Sequence, residues 1–528
     1  MHARNIPSAL LFVTFVAAIW IDYGWSDIAI LQIKSIDEYA FHGSLLAMYK
    51  GITTLDLIGV FSYGFYSYGF PYWMLNEVLA FPFLDEVGRN EAIVIPRIIS
   101  TFFMIMSLAL ISKLITLSGS GLVHKILTLL ILLLMPGIWS MGTLFHPDFM
   151  MAAFLLLTLY FLSKSKDFGD KWYWISIICW GVACAVKIQA ITFAPVIIWI
   201  AMIEIRRSIA VVQVYKTLAI TLLVVVVFFI LLNPYILHPI GADVWLRHFL
   251  LNIDSNATNH GMVGFLGLFD KLNVVVTGHY MWYVVFIFLL MASAAYLYKD
   301  WTERKLTIVG MASIFVISNA CYLLIFVNKL WPHYYLTVFL FLSIVLAQLP
   351  TYKKNHLEGF NYGTWTLVAI FVLQLFFNTS KVMEGVNYRM GPSPVKVKKA
   401  KEMKQEVFEL IRNHIDNNSV FVVSPYTPFP IKKTKLPFEN IRVIYGAISK
   451  DVINKRSNIR RRNHPEASHI LLRKDDVYFN RTSIEARTKK SEYLEAKDMI
   501  NNWNKGLGDF RLINQSDCCF LYKRLRNI

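Results

Sequence analysis

Phe61-Ser-Tyr-Gly-Phe-Tyr-Ser-Tyr-Gly-Phe-Pro-Tyr-Trp-Met-Leu-Asn-Glu-Val-Leu-Ala-Phe-Pro-Phe-Leu84 is long and apolar enough to be mistaken for a membrane-crossing helix. Its Gly, Pro, Asn and Glu residues interrupt the apolar run, and its dense Tyr and Trp suit the headgroup layer. The stretch therefore reads as an interfacial helix lying in the membrane plane on the outer side. This choice fixes the topology, because a crossing here would invert every later loop.

Around this stretch the composition is that of a polytopic membrane protein. Of 528 residues, 56% are hydrophobic and 16% charged, with a mean hydropathy of +0.48, whereas soluble domains carry about 25% charged residues. A soluble enzyme and a disordered chain are both excluded. Eleven apolar runs reach or approach the roughly 20 residues that cross the hydrocarbon core. They cover 6–25, 93–114, 122–141, 148–164, 172–187, 190–205, 216–234, 280–298, 306–327, 332–350 and 363–379. The two runs around Lys187 are short, as tilted half-spans would be. The first run offers no small-residue cleavage site after Trp20 and reads as an uncleaved anchor.

Lys/Arg bias in short loops sets the orientation. With the N-terminus in the cytoplasm, 14 of the 22 basic residues in the first 380 fall inside, among them Lys113, Lys166, Arg207, Arg304 and Lys354. From Lys381 onward there are 30 basic and 16 acidic residues and no apolar span. That excess suits anionic headgroups or lipid-linked phosphates better than nucleic acid. Residues 400–415 have an amphipathic helical pattern, and 419–424, 469–473 and 519–522 look like short strands reached through a linker at 390–394. The expected fold is an all-α polytopic membrane domain of about eleven transmembrane helices over residues 1–380. A small basic soluble α/β domain over 381–528 comes after it on the outer side. Five scattered cysteines supply neither a disulfide framework nor a zinc site, and adjacency makes a Cys518–Cys519 bridge strained.

In this topology the polar residues gather on one face. Asp37-Glu38 follows span 1, His146-Pro147-Asp148 follows span 3 and Lys187 sits between spans 5 and 6. Arg247, His248 and His260 lie in the long loop after Asn233-Pro234-Tyr235, and Lys329 to Tyr335 joins spans 9 and 10. Ionisable residues at the bilayer are costly and point to function. Asp37 and Glu38 suit a helix N-terminus, or a general base whose carboxyl is raised in a partly desolvated cleft. Asp148 can likewise cap span 4. His333 and Tyr334 suit interfacial anchors. Lys187 has few neighbours in so short a turn, so an anion such as a phosphate would supply its missing partner.

The order of these features resembles the GT-C class of integral membrane glycosyltransferases, specifically the protein O-mannosyltransferase and lipid A aminoarabinose transferase group. The motifs that carry the resemblance are Asp37-Glu38-Tyr39, Phe70-Pro71-Tyr72-Trp73, Pro96-Arg97-Ile98-Ile99-Ser100 and His146-Pro147-Asp148. They continue with Ala185-Val186-Lys187, Asn233-Pro234-Tyr235 and Pro332-His333-Tyr334-Tyr335-Leu336. It covers about residues 1–380; the tail matches nothing comparable. The resemblance implies Asp37 as catalytic base, with Glu38 beside it and Asp148 as a second carboxylate placing donor or acceptor. Lys187 would hold the lipid phosphate. The family's usual arginine in the last motif is His333 here, so Lys329 or Arg247 would carry that charge. Tyr72, Trp73, His146, His260 and Tyr334 would line the substrate cleft.

The implied reaction moves a sugar from a polyprenyl-phosphate donor to a hydroxyl of a lipid, glycan or protein, with inversion, and needs no nucleotide. No metal-ligand spacing is visible, so no cofactor is expected, although some members of the wider class use a divalent ion. Two rival readings share the layout: a flippase or transporter of lipid-linked sugars, which calls for broken midplane helices and pseudo-symmetric halves, and a polymerase or ligase of lipid-linked glycans. The expected location is a bacterial inner membrane, with the active site facing the periplasm.

Overall fold

The computed structural model describes residues 5–24, 31, 35–85, 89–207, 209–258, 267–349, 362–390, 394–416, 418–423, 427, 429–436, 440–443, 467–473 and 510–525. Six helices are long and apolar enough to cross a membrane: Glu91–Leu117, Ile188–Arg206, Val211–Leu232, Tyr283–Glu303, Ile308–Ile325 and Gly363–Asn387. The helices Leu122–Leu133 and Pro136–Gly142, bent by 70° at their junction, make a seventh if they form one span. Ile6–Asp22, Asp148–Leu162, Lys171–Val186 and Pro332–Leu346 are shorter apolar helices. The eleven expected spans thus fall on six or seven helices of spanning length and four short ones. Hydropathy misses such breaks: Pro136, which has no N–H to donate, starts a new helix inside the run 122–141. Of the two runs around Lys187 only the first stays short, at 16 residues; the second reaches 19 because a 3-10 turn extends it.

The stretch that decides the topology folds into an 11-residue helix, Phe70–Ala80, and a 3-10 turn, Phe81–Phe83. At 1.5 Å per residue that helix is about 17 Å long, little more than half of what a crossing needs. It is two-sided. Met74, Val78 and Leu79 are exposed, while Tyr72, Trp73, Asn76, Glu77 and Ala80 are buried, the pattern of a helix lying along an interface.

The C-terminal part holds a five-stranded mixed sheet of β1 (Phe421–Val423), β2 (Ile441–Val443), β3 (His469–Arg473), β4 (Phe510–Gln515) and β5 (Cys519–Arg524), in the order β2-β1-β3-β5-β4. β1 pairs in parallel with β2 and β3, and β5 runs antiparallel to β3 and β4. The expected strands are present, and the short β2 and the half-exposed β4 add to them. The helix Pro394–Ile411 begins earlier than its amphipathic pattern suggested, so Pro394 lies inside a helix rather than a linker. Its Val407, Leu410 and Ile411 pack with the sheet in a second hydrophobic core, which also takes in Leu31, Tyr39 and Ile93 from the first part of the chain.

Candidate active site

The site is built where the aromatic loop 61–69 meets the break after the helix Lys171–Val186. Tyr68 and Lys187 pair as an antiparallel bridge, and Gly69 N donates to Val186 O at 2.8 Å. Asn233 closes the junction: its Oδ1 accepts from Phe70 N at 2.8 Å and its Nδ2 donates to Ala185 O at 3.2 Å. The backbones approach so closely that a Cβ on Gly69 would lie 1.5 Å from Ala185 O. Only glycine fits there.

This junction delivers Lys187 into the membrane domain, where Asp148 receives it. Lys187 Nζ lies 2.5 Å from Asp148 Oδ1, and His146 Nδ1 lies 2.5 Å from Asp148 Oδ2. All three residues are buried. The missing partner of Lys187 is therefore a carboxylate of the protein itself, which hydropathy and spacing did not reveal. His146 Nε2 meets Tyr68 Oη at 3.1 Å, and the Lys187 ammonium lies over the rings of Tyr68 and Tyr334 at 5.5 and 5.4 Å. His333 stacks near His146, with ring centroids 5.0 Å apart. His146, Asp148 and His333 each offer a ligand atom, all within 4.8 Å of one another. The sequence hid this set because His333 comes from the far end of the membrane domain. A divalent ion there would share Asp148 with the Lys187 ammonium, which lies on Oδ1.

Lys329 stands beside this cluster with no carboxylate partner among the described residues. It is buried and lies over the Trp331 ring at 4.2 Å. Burial, and then the nearby Lys187 charge, push its ammonium down to about 8. Tyr334 is held by its hydroxyl, which donates to Asn256 Oδ1 at 3.0 Å.

Asp37 and Glu38 separate sharply. Both lie in the first turn of the helix Ile36–Thr53, whose N-cap Ser35 makes no side-chain capping bond. Glu38 is fully buried: Arg97 Nε and Nη2 donate to its two oxygens at 2.7 Å each, and Phe145 N donates to Oε1 at 3.0 Å. Arg97 Nη1 also donates to Asp22 O at 3.0 Å. This is a bidentate buried clamp between the helix Ile36–Thr53 and the helix Glu91–Leu117, and it leaves both Glu38 oxygens occupied. Asp37 is exposed. Its carboxyl is nonetheless crowded by protein, and desolvation raises it above the usual range, opposed by the charge of His146 and assisted by that of Glu38.

The other expected residues divide. Tyr72 and Trp73 are fully buried. Trp73 Nε1 donates to Tyr68 O at 3.1 Å, and its ring packs edge-on against Phe41. Tyr72 packs against Trp73 and Phe145, and both residues lie on the inward side of their helix. Arg247 is exposed and pairs with Asp243, one turn earlier in the helix Pro239–Thr258, at 2.8 Å. It does not join the Asp148 cluster. His260 lies outside the described residues. Two residues gain functions that spacing did not give them: Arg97, which the sequence marked only as part of a motif, and Tyr68, one of several tyrosines in an aromatic loop.

The helical bundle, with ionisable groups gathered where its first two loops meet, resembles the GT-C class of membrane glycosyltransferases in fold, as comparison with known proteins shows. Residues 80–231 match the family model described as dolichyl-phosphate-mannose-protein mannosyltransferase. The fold is similar to that of ArnT from Cupriavidus metallidurans bound to undecaprenyl phosphate. The TM-score is 0.56 at 11% identity, over 99% of this chain and 98% of that one. It is also similar to the Archaeoglobus fulgidus oligosaccharyltransferase tethered with an acceptor peptide, with a TM-score of 0.56 at 10% identity, over 99% of this chain and 74% of that one. Among curated protein sequences, none is similar to this chain. The protein has the GT-C glycosyltransferase fold.

Proposed function

We propose that the protein transfers a sugar from a polyprenyl-phosphate donor to a hydroxyl of a lipid, glycan or protein, with inversion at the anomeric carbon. The observation that carries this reading is the pairing, at one site, of the exposed carboxylate Asp37, raised by desolvation and coupled to His146, with the buried cations Lys187 and Lys329. Asp37 takes the proton of the acceptor hydroxyl as its oxygen attacks the anomeric carbon, a contribution of about 10²–10⁴-fold. The anomeric C–O bond breaks with its electron pair left on the phosphate. Lys329, which has no carboxylate partner among the described residues, meets the charge that develops there in a poorly hydrated site. Lys187, held on Asp148, keeps His146, Tyr68 and Tyr334 in place around the sugar. At Asp148 it supplies the positive charge a dication would otherwise bring, so chelation is expected to leave turnover unchanged. Lys/Arg bias and the likeness to a bacterial enzyme bound to undecaprenyl phosphate support a donor of that class at the periplasmic face of an inner membrane.

The test is purified protein incubated with radiolabelled polyprenyl-phosphate sugars, following release of polyprenyl phosphate. Asp37→Asn is expected to abolish release while retaining donor binding, because the amide keeps the shape but accepts no proton. Wild-type turnover in Asp37→Asn would remove Asp37 from the base role. Absence of release from every lipid-linked sugar would overturn the function itself.

A further inference from the structure

Three consecutive residues of one helical turn, Asp37, Glu38 and Tyr39, point about 100° apart from one another. Each direction has a different destination. Glu38 enters the membrane domain and is clamped by Arg97 and Phe145 N. Tyr39 is 1% exposed, and its surroundings are the second hydrophobic core, which otherwise belongs almost wholly to the C-terminal domain: Val407, Ile411, Phe421, Leu471, Cys519 and Leu521 among others. Of the three, only Asp37 is exposed, and it lies within electrostatic reach of His146.

We infer that the C-terminal sheet domain is a working part of the active site, and that Tyr39 is the positioning residue through which it holds Asp37. The inference rests on the reading of Asp37 as base. A helix start whose N-cap makes no side-chain bond is free to fray, and Glu38 by itself fixes only one direction about the helix axis. Burial of a tyrosine ring in a packed core supplies the second constraint. Ile93, at the start of the helix that carries Arg97, lies in the same core. The domain thus grips both sides of the Glu38–Arg97 clamp. This gives the tail a role that its sequence left open. It also explains why the domain is joined to the membrane part by apolar packing rather than only by charge.

The experiment uses the full-length protein in detergent and compares Tyr39→Ala, Tyr39→Phe and Leu521→Ala. The last removes volume from the domain's side of the same core and leaves the Asp37 helix unaltered. Misplacing a catalytic group by about 1 Å can cost on the order of 100-fold, so Tyr39→Ala is expected to lower kcat by at least about tenfold with the donor KM little changed. Tyr39→Phe restores turnover, and Leu521→Ala lowers kcat in the same sense as Tyr39→Ala. The acid limb of the pH profile moves as well. Asp37 must be deprotonated to act, and the packing that raises its carboxyl is relaxed in Tyr39→Ala, so the loss of activity on acidification sets in at lower pH than in wild type. Its facing charged groups, Glu38 and His146, are unaltered. A folded Tyr39→Ala with wild-type kcat and an unmoved acid limb overturns the inference, provided Asp37→Asn is inactive. If Asp37→Asn is itself active, the base assignment has failed instead. Should Tyr39→Ala not fold, Leu521→Ala decides: wild-type kcat and acid limb in that variant overturn the inference.

Discussion

Replacing Glu38 by Gln should unfold the outer face of the protein rather than merely slow it. Arg97 is fully buried and gives two of its N–H groups to the Glu38 oxygens at 2.7 Å, while Phe145 N shares Oε1 at 3.0 Å. Glutamine keeps the shape but turns one of those oxygens into a donor, so one guanidinium N–H faces an NH₂ and the Arg97 charge loses its ion-paired carboxylate, with Asp22 as the remaining nearby negative charge. Breaking a buried pair from one side costs about 3–5 kcal/mol. A second substitution, Arg97→Met, removes the stranded charge and fills similar volume. It leaves Asp22 O and Gly24 O without the Arg97 Nη1 donor, at about 1–3 kcal/mol each. The double variant is therefore expected to lose less stability than the two single changes summed, with a coupling energy of at least about 2 kcal/mol in a double-mutant cycle. Chemical unfolding of the four proteins in one detergent measures it. Additive costs, with the double variant the least stable of the four, would show that Glu38 and Arg97 do not act as a pair tying the helix Ile36–Thr53 to the helix Glu91–Leu117.

Three further predictions concern single sites. Because burial lowers Lys329 to about 8, its charge fades as pH rises through that value, so donor affinity should weaken between about pH 7 and 9 and the weakening should vanish in Lys329→Met. The same pH dependence persisting in that variant would assign it elsewhere. Gly69→Ala places a Cβ against Ala185 O and Asn233 Oδ1, which forces the aromatic loop off the Lys187 junction. Turnover should fall by about tenfold or more, and an active Gly69→Ala would show that the junction does not position the site. Glu77 is buried on the interfacial helix, and burial raises its carboxyl to about 8. Between the unfolded value of about 4.3 and 8, the folded state retains a proton that the unfolded state has lost, so stability falls as pH rises through this window. Glu77→Gln removes that penalty and should stabilise by a few kcal/mol at pH 8 but not below pH 4; equal melting shifts at both pH values would contradict it.

How much of this was legible in the sequence depends on the range of the interaction. The non-crossing of 61–84 was legible, because Gly69, Pro71, Asn76 and Glu77 act on the helix that contains them. Asp37 stood out as a candidate because it stands at the head of an apolar stripe next to a span. The separate fates of Asp37 and Glu38 were not legible, since both are carboxylates in one helical turn and only the position of Arg97 assigns one to the clamp and leaves the other exposed. Lys187 needs a partner by its place in a short apolar turn, but Asp148 lies on another helix, and no spacing links the two.

By itself, then, the sequence determined the features that arise from chain-local properties: a bundle of apolar helices, an aromatic helix too short to cross, and a basic tail with strands. Hydrophobic length, helical periodicity and loop charge act over a few turns and need no knowledge of neighbours. Tertiary structure alone decided that His333 approaches His146, that Lys187 belongs to Asp148, that Lys329 is left without a carboxylate among the described residues, and that Tyr39 is buried in the core of the distant domain. Those facts depend on which helices pack together. Burial makes every such pairing worth several kcal/mol or costly if left unmade, so the candidate site is set by contacts between residues far apart in the chain.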